Sequence, residues 1–341
     1  MIAPPWIPVP PPRYGGIETV VDLLVKRLTK LGCEVTIFCA PGSHTEAKYE
    51  VHPLKHAYGN KIGNALYETD HVLQALNQIK WERDPFDVVH DHTSTAVAWA
   101  QHCSVPMVHT MHNGHEGDRG DFYLRHASYA RLIAISYAQR KTAPKDLLVD
   151  DVIHNPIEVD EWPFREQKMG FALWAGRFDP VKGADRAIRA ARIAGMRLVL
   201  AGPIQQGQQA YFDREIRPYL KTGEIDYVGE VGGARKKALF ANASCLLMPI
   251  EWNEPFGMVM VEALACGTPV IAFPYGAATE IVVDGVNGYQ VADVASMAEA
   301  MTEVAIDISA GECRESVEAR YDAATIAENY CAAYERAKVR E

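Results

Sequence analysis

Short apolar runs alternate with longer segments of helical periodicity through the first half of the chain. Apolar residues recurring at helical spacing indicate amphipathic helices, whereas short continuous apolar runs indicate buried strands. The pattern predicts helices over 18–31 and 64–80, and strands over 35–38, 87–90, 106–110 and 132–135. Because strands that alternate with helices are typical of βαβ units, this half is predicted to form a parallel sheet.

The alternation starts again after a polar stretch with two prolines, residues 155–168, which is interpreted as a linker. The second series predicts strands over 171–175, 197–201, 225–228, 245–249 and 270–272, and helices over 184–194, 234–241 and 259–264. A last helix over 323–340 carries an apolar stripe that must be buried, formed by Ile326, Tyr330, Ala333, Tyr334 and Ala337. Two α/β units of similar size are therefore expected, with ligands bound at the carboxyl ends of the strands.

The first residues of the chain form two segments of unusual composition. Residues 1–4 are typical of the end of a short buried strand. Residues 4–12 are dense in proline, and two structures fit such a segment: a solvated polyproline II linker and an ordered loop that shapes a cleft.

Length and charge narrow the class of protein. The 341 residues suggest two domains, at roughly 100–200 residues each. The formal net charge of -10 argues against nucleic acid as a partner, because phosphate backbones need a basic surface. A smaller anionic ligand can still bind through backbone N–H groups and a few well-placed cations.

The seven cysteines are scattered, odd in number and without a C-x-x-C pair. Buried free thiols in a reducing compartment fit this usage best, so a cytoplasmic protein is expected. No apolar run approaches the roughly 18 residues of a membrane span, and no signal-peptide pattern precedes the first unit. Peripheral membrane contact and the oligomeric state stay open.

Several common α/β chemistries lack their sequence motifs. The chain contains no G-x-G of a dinucleotide site, no P-loop and no G-x-S-x-G nucleophile elbow. It also contains no D-x-D, the pair through which many sugar transferases hold a diphosphate-bound metal. Metal-free phosphate binding is therefore favoured.

The segment 176–183, GRFDPVKG, follows a predicted strand and opens a helix. Its glycines allow a tight turn and a close backbone approach. Arg177 offers a bidentate fork for phosphate oxygens and Lys182 a point charge, so together they could neutralise a diphosphate. A surface turn with two solvated cations is the alternative.

The segment 254–262, EPFGMVMVE, places two carboxylates, Glu254 and Glu262, eight positions apart. Phe256, Gly257 and Met258 form a helix entry, whose free N–H groups favour an anion. The carboxylates fall on roughly one helix face, as a pocket for sugar hydroxyls requires. Two unrelated glutamates, one at the helix start and one exposed, are the alternative.

The order of these segments resembles glycosyltransferase family 4. The second half carries GR-x4-KG, E-x7-E, GTPVIA and G-x-x-x-E-I-V-x-D-G-x-N-G. The first half matches more loosely, through Gly15-Gly16, His90-Asp91-His92 and Thr110-Met111-His112. The resemblance covers nearly the whole chain; the very short first strand and the proline-rich loop depart from it.

The resemblance implies an α/β GT-B fold, two Rossmann-like doubly wound domains facing a cleft. Residues 1–160 would form the acceptor-side domain and residues 161–322 the nucleotide-sugar domain. Residues 323–341 would cross back to pack on the first domain.

The resemblance also implies roles for individual residues. Gly15 and Gly16 would approach the donor phosphate through their backbone, and His112 would lie near the reacting carbon. In the second domain the implied roles are diphosphate binding by Arg177 and Lys182, sugar-hydroxyl contacts by Glu254, backbone N–H donation at Phe256, Gly257 and Met258, and ribose contacts by Glu262.

Three further residues are candidates for the acceptor side, namely Tyr14, His90 and His92. Glu280 matches a less constant acidic position of the family, and ordinary surface charge is its alternative. A lone histidine is more often structural or solvated than functional, so the alternative for His90 and His92 is a structural role.

The implied activity is retaining transfer of a hexose-type sugar from a nucleoside diphosphate sugar to an acceptor hydroxyl, with no metal and no other cofactor. Family frequency favours UDP over GDP or ADP. The acceptor could be a carbohydrate, a lipid-linked sugar or a small molecule. Two alternatives remain, a nucleotide-sugar epimerase or hydrolase on the same scaffold and a non-catalytic nucleotide-sugar-binding protein.

Overall fold

A computed structural model describes residues 1–341 except Tyr14, Asp84, Thr222, Arg340 and Glu341; the side chains of Lys221 and Ala305 are also outside the description. The chain divides into two compact units. Unit 1 contains Met1–Pro156 together with the chain from Ala323 onward, and unit 2 contains Ile157–Asp322.

Unit 1 is built on a parallel sheet covered by helices. Its strands are β1 (Thr36–Phe38), β2 (Tyr49–Val51), β3 (Val89–Asp91), β4 (Met107–Met111), β5 (Ala130–Ala134) and β6 (Asp151–Val152). Its helices before the domain break are α1 (Gly16–Lys30), α2 (Ala65–Trp81), α3 (Asp118–His126) and α4 (Tyr137–Lys141), with 3₁₀ turns at Gly59–Lys61 and Ala96–His102. The strand pairs run β1-β2 and β3-β4-β5-β6.

The first residues join these two groups of strands. Ile2 pairs in parallel with both Phe38 of β1 and Asp91 of β3 and is fully buried. Its N–H donates to the His90 carbonyl at 2.8 Å. The short buried strand predicted at residues 1–4 is therefore present as a bridge in the middle of the sheet.

The proline-rich segment is an ordered loop, so the linker alternative is wrong. Trp6 is buried and Val9 is fully buried. The Val9 N–H donates to Ser43 Oγ at 2.9 Å, and the Val9 carbonyl accepts from the His44 N–H at 2.8 Å. Buried backbone groups need such partners, which a solvated polyproline segment would not have.

Unit 2 is a six-stranded parallel sheet with helices on its faces. The strands are β7 (Phe171–Ala175), β8 (Arg197–Ala201), β9 (Ile225–Tyr227), β10 (Cys245–Met248), β11 (Val270–Ala272) and β12 (Gly288–Gln290). Their order is β9-β8-β7-β10-β11-β12, the 3-2-1-4-5-6 order of the Rossmann fold. The strand order reverses between β7 and β10.

The helices of unit 2 follow the strands in alternation. They are α5 (Ala184–Ala194), α6 (Gln209–Tyr211, continuing into a π-helical turn at Phe212–Ile216 and a 3₁₀ turn at Arg217–Lys221), α7 (Gly233–Asn242), α8 (Met258–Ala265), α9 (Ala278–Ile281), α10 (Val294–Asp307) and α11 (Ala310–Tyr321). Shorter 3₁₀ turns lie at Val159–Glu161 and Pro180–Lys182.

The stretch interpreted as a linker is mostly folded into unit 2. The ammonium group of Lys168 donates to the carbonyls of Ala241 and Cys266 at 3.1 Å each and to Thr268 Oγ1 at 2.9 Å. The domain break falls at Pro156–Ile157, near the start of the stretch. The polar composition suggested a linker, because the sequence alone does not show that Lys168 is bound by backbone carbonyls of unit 2.

The last helix, α12 (Ala323–Lys338), belongs to unit 1, where it packs against α1 and β4. The predicted apolar stripe is buried along its whole length: Ile326, Tyr330, Ala333, Tyr334 and Ala337. Its polar face contributes an ion pair between Arg336 and Asp151 at 3.1 Å.

Candidate active site

The reversal of strand order in unit 2 gathers the two predicted donor-binding segments. β7 and β10 are neighbours and parallel, so their carboxyl ends lie at the same edge of the sheet. The segment with Arg177 and Lys182 follows β7, and the segment with Glu254 follows β10. A side-chain hydrogen bond between Lys182 and Glu254 joins the two segments.

A close backbone approach and one arginine hold these two loops together. Gly183 has φ of 75°, and a Cβ there would lie 2.1 Å from the Pro249 carbonyl oxygen, so only glycine fits. The buried guanidinium of Arg186 donates to the Pro249 carbonyl at 2.7 Å and to the Pro180 carbonyl at 2.9 Å. It also pairs with Glu251 at 2.9 Å.

Glu254 receives two donors on one oxygen. Both Lys182 Nζ and Trp252 Nε1, the latter at 3.1 Å, donate to Glu254 Oε2. The Lys182 ammonium also lies 4.5 Å from the centroid of the Trp252 ring, a cation–π distance. Neither hydrogen bond uses Glu254 Oε1, which keeps its acceptor capacity.

Arg177 is anchored at one nitrogen. Its Nη1 donates to Gln205 Oε1 at 2.9 Å, on the loop that follows β8. Its Nε–H is buried and has no partner among the residues that the structure describes. A buried charged donor without a partner is costly, so this atom is suited to an anionic ligand.

No side chain in the described ranges of the chain caps the first N–H groups of helix α8. Gly257, its N-cap, has φ of 86°, and a Cβ there would lie 2.7 Å from Met260 Cε. Met258 is the first helical residue, and Phe256 before it is buried. The helix dipole and the free N–H groups favour an anion at this end.

Glu262, about one turn into α8, is 3% exposed. Its Oε1 accepts from Lys236 Nζ at 2.6 Å, and its Oε2 has no partner among the described residues. The alternative of an exposed, unrelated glutamate is wrong for this position.

In unit 1, the glycine pair opens α1. A Cβ at Gly15 would lie 2.6 Å from Pro11 Cβ, whereas the space around Gly16 is open within 4 Å. Glu18, in the first turn, is 5% exposed, and this burial raises its pKa to about 7. With a pKa near 7, Glu18 is only partly ionised near neutral pH, which weakens the negative charge that would oppose an anion at this helix end.

His112 follows β4 and contacts a second histidine. Its Nε2 lies 2.9 Å from Nδ1 of His92, and the rings stack with centroids 5.2 Å apart. Burial lowers the pKa of His112 to about 3 and that of His92 well below its ordinary value. Both imidazoles are therefore neutral near neutral pH.

His90 is enclosed by protein groups. Its Nδ1 lies 2.8 Å from the Tyr334 hydroxyl, and its Nε2 lies 2.8 Å from Thr110 Oγ1. His90 and His92 are 3% and 2% exposed. This placement favours the structural alternative for His90, while Tyr14, the third acceptor-side candidate, lies outside the described residues.

The remaining acidic candidate, Glu280, lies in α9 and is half-buried. Its carbonyl accepts from Arg320 Nη1 at 2.9 Å. Across the described part of the chain, no group of three or more His, Cys, Asp or Glu side chains is placed to hold a metal ion. Within the same residues, no helix is long and apolar enough to span a bilayer.

Comparison with known proteins decides the family. A family model for "Glycosyltransferase Family 4" matches residues 14–161, and one for "Glycosyl transferases group 1" matches residues 158–320. The glycogen synthase of Mycobacterium tuberculosis is 30% identical over 361 aligned positions, covering 89% of this chain and 86% of the relative. The chain belongs to glycosyltransferase family 4.

Further relatives of this family 4 glycosyltransferase include the D-inositol 3-phosphate glycosyltransferase of Mycolicibacterium smegmatis, 26% identical over 95% of this chain and 86% of the relative. AviGT4, a glycosyltransferase involved in avilamycin A biosynthesis, superposes with a TM-score of 0.76 at 29% identity, covering 100% of this chain and 97% of that one.

Two more distant structures share the fold. Sucrose-phosphate synthase of Thermosynechococcus elongatus has a TM-score of 0.83 at 19% identity over 98% of both chains. Anabaena HepE, in complex with UDP and glucose, has a TM-score of 0.72 at 18% identity over 94% of this chain and 97% of that one. The family 4 glycosyltransferase has the GT-B fold, with a Rossmann-like α/β arrangement in each unit.

Sequence reasoning missed several residues that contact the named groups in this glycosyltransferase. Trp252 lies within two positions of Glu254, so an indole beside a motif carboxylate was a visible signal. Gln205 and Lys236 reach Arg177 and Glu262 from other loops and helices. Spacing along the chain contains no signal for such contacts, because they depend on how the elements pack.

Proposed function

We propose that this glycosyltransferase transfers a hexose-type sugar from a UDP-sugar to an acceptor hydroxyl, with retention of anomeric configuration and without a metal ion. The observation that carries the proposal is the cluster of Lys182, Arg177 and Glu254 at the carboxyl ends of β7 and β10. The strand order of the sheet reverses between these two strands. Such a reversal is where open α/β sheets bind nucleotides.

Arg177 and Lys182 are proposed to bind the diphosphate. The Arg177 guanidinium, whose buried Nε–H has no partner among the residues described, and the Lys182 ammonium would provide two positive charges where negative charge grows. As the bond from the anomeric carbon to the phosphate oxygen breaks, fixed cations stabilise the departing diphosphate. This arrangement takes the place of the metal that D-x-D enzymes use.

The carboxylates and α8 are proposed to hold the rest of the donor. Glu254 would accept sugar hydroxyl hydrogens at Oε1, since Oε2 is occupied by protein donors. The backbone at Phe256, Gly257 and Met258 would donate to sugar and phosphate oxygens. Glu262 would accept from the ribose hydroxyls at Oε2, the oxygen for which the described residues supply no partner.

Three residues of unit 1 are also assigned to the donor. Gly15 and Gly16 would approach the phosphate through their backbone, which the absence of side chains permits. His112 would contact the donor sugar near the anomeric carbon. Because His112 is neutral near neutral pH, it acts there as a hydrogen-bonding group and not as a charged acid.

In the proposed reaction the acceptor hydroxyl attacks the oxocarbenium-like anomeric carbon from the face that the diphosphate leaves. The carbon–oxygen bond to the diphosphate breaks, the new glycosidic bond forms, and the departing phosphate takes the acceptor proton. No side chain becomes glycosylated. The products are the glycoside and UDP, with the anomeric configuration retained.

Family frequency supports UDP as the nucleotide, and the HepE structure, which shares the fold, contains UDP and glucose. The proposed acceptor is a carbohydrate, a lipid-linked sugar or a small molecule, and the proposal is compatible with peripheral membrane contact. All seven cysteines are free thiols, which supports a cytoplasmic location.

The test combines a donor screen with product analysis. UDP-, GDP- and ADP-sugars are compared by thermal shift, and the first-formed product of the best donor is examined by NMR. Retained configuration at the transferred sugar supports the proposal, whereas an inverted linkage overturns it. If the protein forms an epimer of the sugar without an acceptor, it is an epimerase, and if it releases free sugar, it is a hydrolase. Binding of the nucleotide sugar without turnover would indicate a non-catalytic binding protein.

A further inference from the structure

A buried chain of polar side chains connects helix α12 to His112 within unit 1. His112 contacts His92, the His92 ring lies 4.0 Å from the His90 ring, and His90 contacts Tyr334. On its other side His90 contacts Thr110, whose hydroxyl lies 2.9 Å from that of Tyr330. The chain therefore links two tyrosines of the last helix to the histidine proposed to contact the donor.

The unpaired nitrogen of His92 indicates where the hydrogens lie. His92 Nε2 is buried and has no partner among the described residues. A buried N–H without an acceptor is rarer in proteins than a buried lone pair without a donor. The hydrogen of His92 is therefore assigned to Nδ1, which donates to His112 Nε2 and leaves the hydrogen of His112 on Nδ1.

His90 has both ring nitrogens engaged, so its ring is fixed in position and orientation. The His92 ring packs against it, and water is excluded because His90, His92 and Thr110 are each no more than 4% exposed. Tyr330 and Tyr334 are 1% and 9% exposed, and a buried tyrosine hydroxyl needs a polar partner. Loss of the Tyr334 hydroxyl would leave His90 Nδ1 without this partner, and loss of the Tyr330 hydroxyl would leave Thr110, the other partner of His90, less firmly oriented.

We infer that Tyr330 and Tyr334 of α12 are positioning residues, which hold His90 and His92 so that His112 keeps its hydrogen on Nδ1 and presents it to the donor. The inference rests on the proposed function for its kinetic consequence. It assigns α12 a role in catalysis in addition to packing, and it makes His92 the hydrogen-bond donor that sets the His112 tautomer.

The kinetic test uses Tyr334→Phe and Tyr330→Phe, which remove only a hydroxyl. Misorienting a catalytic group raises the barrier more than it weakens ground-state binding, so kcat is expected to fall roughly tenfold while KM for the UDP-sugar changes less than about twofold. The matched control is Tyr123→Phe. Tyr123 also contacts a buried histidine, His109 Nε2 at 3.0 Å, and is outside the chain to His112.

A purely structural role predicts a different result: all three variants would lose stability and keep kcat within about twofold of wild type. That outcome, with correctly folded protein by circular dichroism, overturns the inference. If Tyr334→Phe does not fold, Tyr330→Phe serves as the test, because it acts on the same histidine through Thr110.

A second pair of variants tests His92 itself. His92→Asn keeps an N–H near the place of Nδ1 and should retain most of the activity that His92→Ala loses. Equal activity of the two variants would show that donation to His112 has no effect, and would overturn the assigned direction of the hydrogen bond.

The tautomer can be read without any substrate, by long-range ¹⁵N–¹H NMR of histidine-labelled wild-type protein. The expected pattern for His112 is a pyrrole-like Nδ1 and a pyridine-like Nε2, and Tyr334→Phe should mix the two forms. A pyrrole-like Nε2 in wild type overturns the inference. Because this measurement needs no donor, its failure is distinguishable from failure of the proposed function, which the donor screen reports.

Discussion

Lys182 lies between a carboxylate and an aromatic ring, in contact with Glu254 and over the face of Trp252. Arg177 is held by Gln205 at one nitrogen and keeps a second, buried N–H that has no partner in the described part of the chain. These contacts orient the two cations before any ligand binds. Preoriented charges lose little entropy on binding, so single substitutions here should affect the reaction more than the fold.

Lys182→Ala and Arg177→Ala are each expected to reduce turnover on the order of 10²–10³-fold, about 3–4 kcal/mol, with the fold intact. The physical reason is the loss of one charge that stabilises the departing diphosphate. Steady-state kinetics with the best UDP-sugar measures the effect. Arg189→Ala, which removes an exposed arginine paired with Asp185 on α5, is the control.

Near wild-type turnover in both variants would place the phosphate site elsewhere in the protein. A loss in Arg189→Ala as large as in the other two would indicate a general effect of net charge. Circular dichroism and thermal melts separate either outcome from unfolding.

His112→Ala is expected to lose most turnover while donor affinity changes by less than about tenfold, or ~1.4 kcal/mol. The reason is that most of the proposed donor contacts belong to unit 2, whereas His112 belongs to unit 1. Calorimetry with UDP or the UDP-sugar measures affinity, and exposed His102→Ala is the control. Full turnover would remove His112 from the active site, and abolished binding would contradict this division of roles.

At the scale of elements, α1 and α8 open in related ways. Each is preceded by a glycine at which a Cβ would clash, Gly15 before α1 and Gly257 before α8. Within the residues that the structure describes, neither helix has a side-chain cap on its first N–H groups. Unlike α8, α1 has an acidic residue in its first turn, Glu18, and this side chain is buried.

Glu18 should make the stability of the protein depend on pH. Burial raises its pKa to about 7, from 4.5 for an exposed glutamate. Its stabilising contribution is therefore complete below the pKa of the unfolded chain and is lost as pH rises through about 7. Between pH ~5.5 and ~8 the loss is about 2 kcal/mol. Urea unfolding of wild type and Glu18→Gln at both pH values measures it.

Glu18→Gln should show a smaller decrease in the free energy of unfolding over this range, because its amide stays neutral. Glu34→Gln, which changes an exposed carboxylate paired with Lys48, is the control and should behave like wild type. The same pH dependence in Glu18→Gln and wild type would show that Glu18 ionises normally in the folded protein.

At the scale of the whole molecule, two sheets with parallel strands supply the frame, and the chain returns at Ala323 to complete unit 1 with α12. The two family models match residues 14–161 and 158–320, so both halves of the chain carry family sequence. The proposed diphosphate ligands are Arg177, Lys182 and backbone N–H groups of α8, which supply positive charge without acidic metal ligands.

Activity is therefore expected to be unchanged by EDTA and not to require added Mg²⁺ or Mn²⁺. In the proposed site, side-chain cations would do the work that a metal performs in D-x-D enzymes, so chelation would remove nothing that the reaction needs. Initial rates with EDTA, with each metal and with neither measure this. A strict requirement for either ion would contradict the proposed diphosphate site.

Local signals were sufficient for much of the fold. The predicted strands around β3, β4, β5, β7, β8, β9, β10 and β11 lie within two residues of the observed ones, because short apolar runs between turns specify buried strands. Short or weakly apolar elements, such as β2, β6 and β12, were not predicted. These segments are strands because they hydrogen-bond to neighbouring strands, and their own sequences carry little strand signal.

The sequence by itself determined the family, the α/β alternation and the motif loops with Arg177, Lys182 and Glu254, since glycines and apolar periodicity act locally. Only the tertiary structure decided which groups meet: Trp252 and Lys182 on one oxygen of Glu254, and His112 on His92. It also placed the tyrosines of α12 against His90 and Thr110. These contacts join residues up to 244 positions apart, and no local pattern encodes them because packing, burial and hydrogen-bond satisfaction act through space.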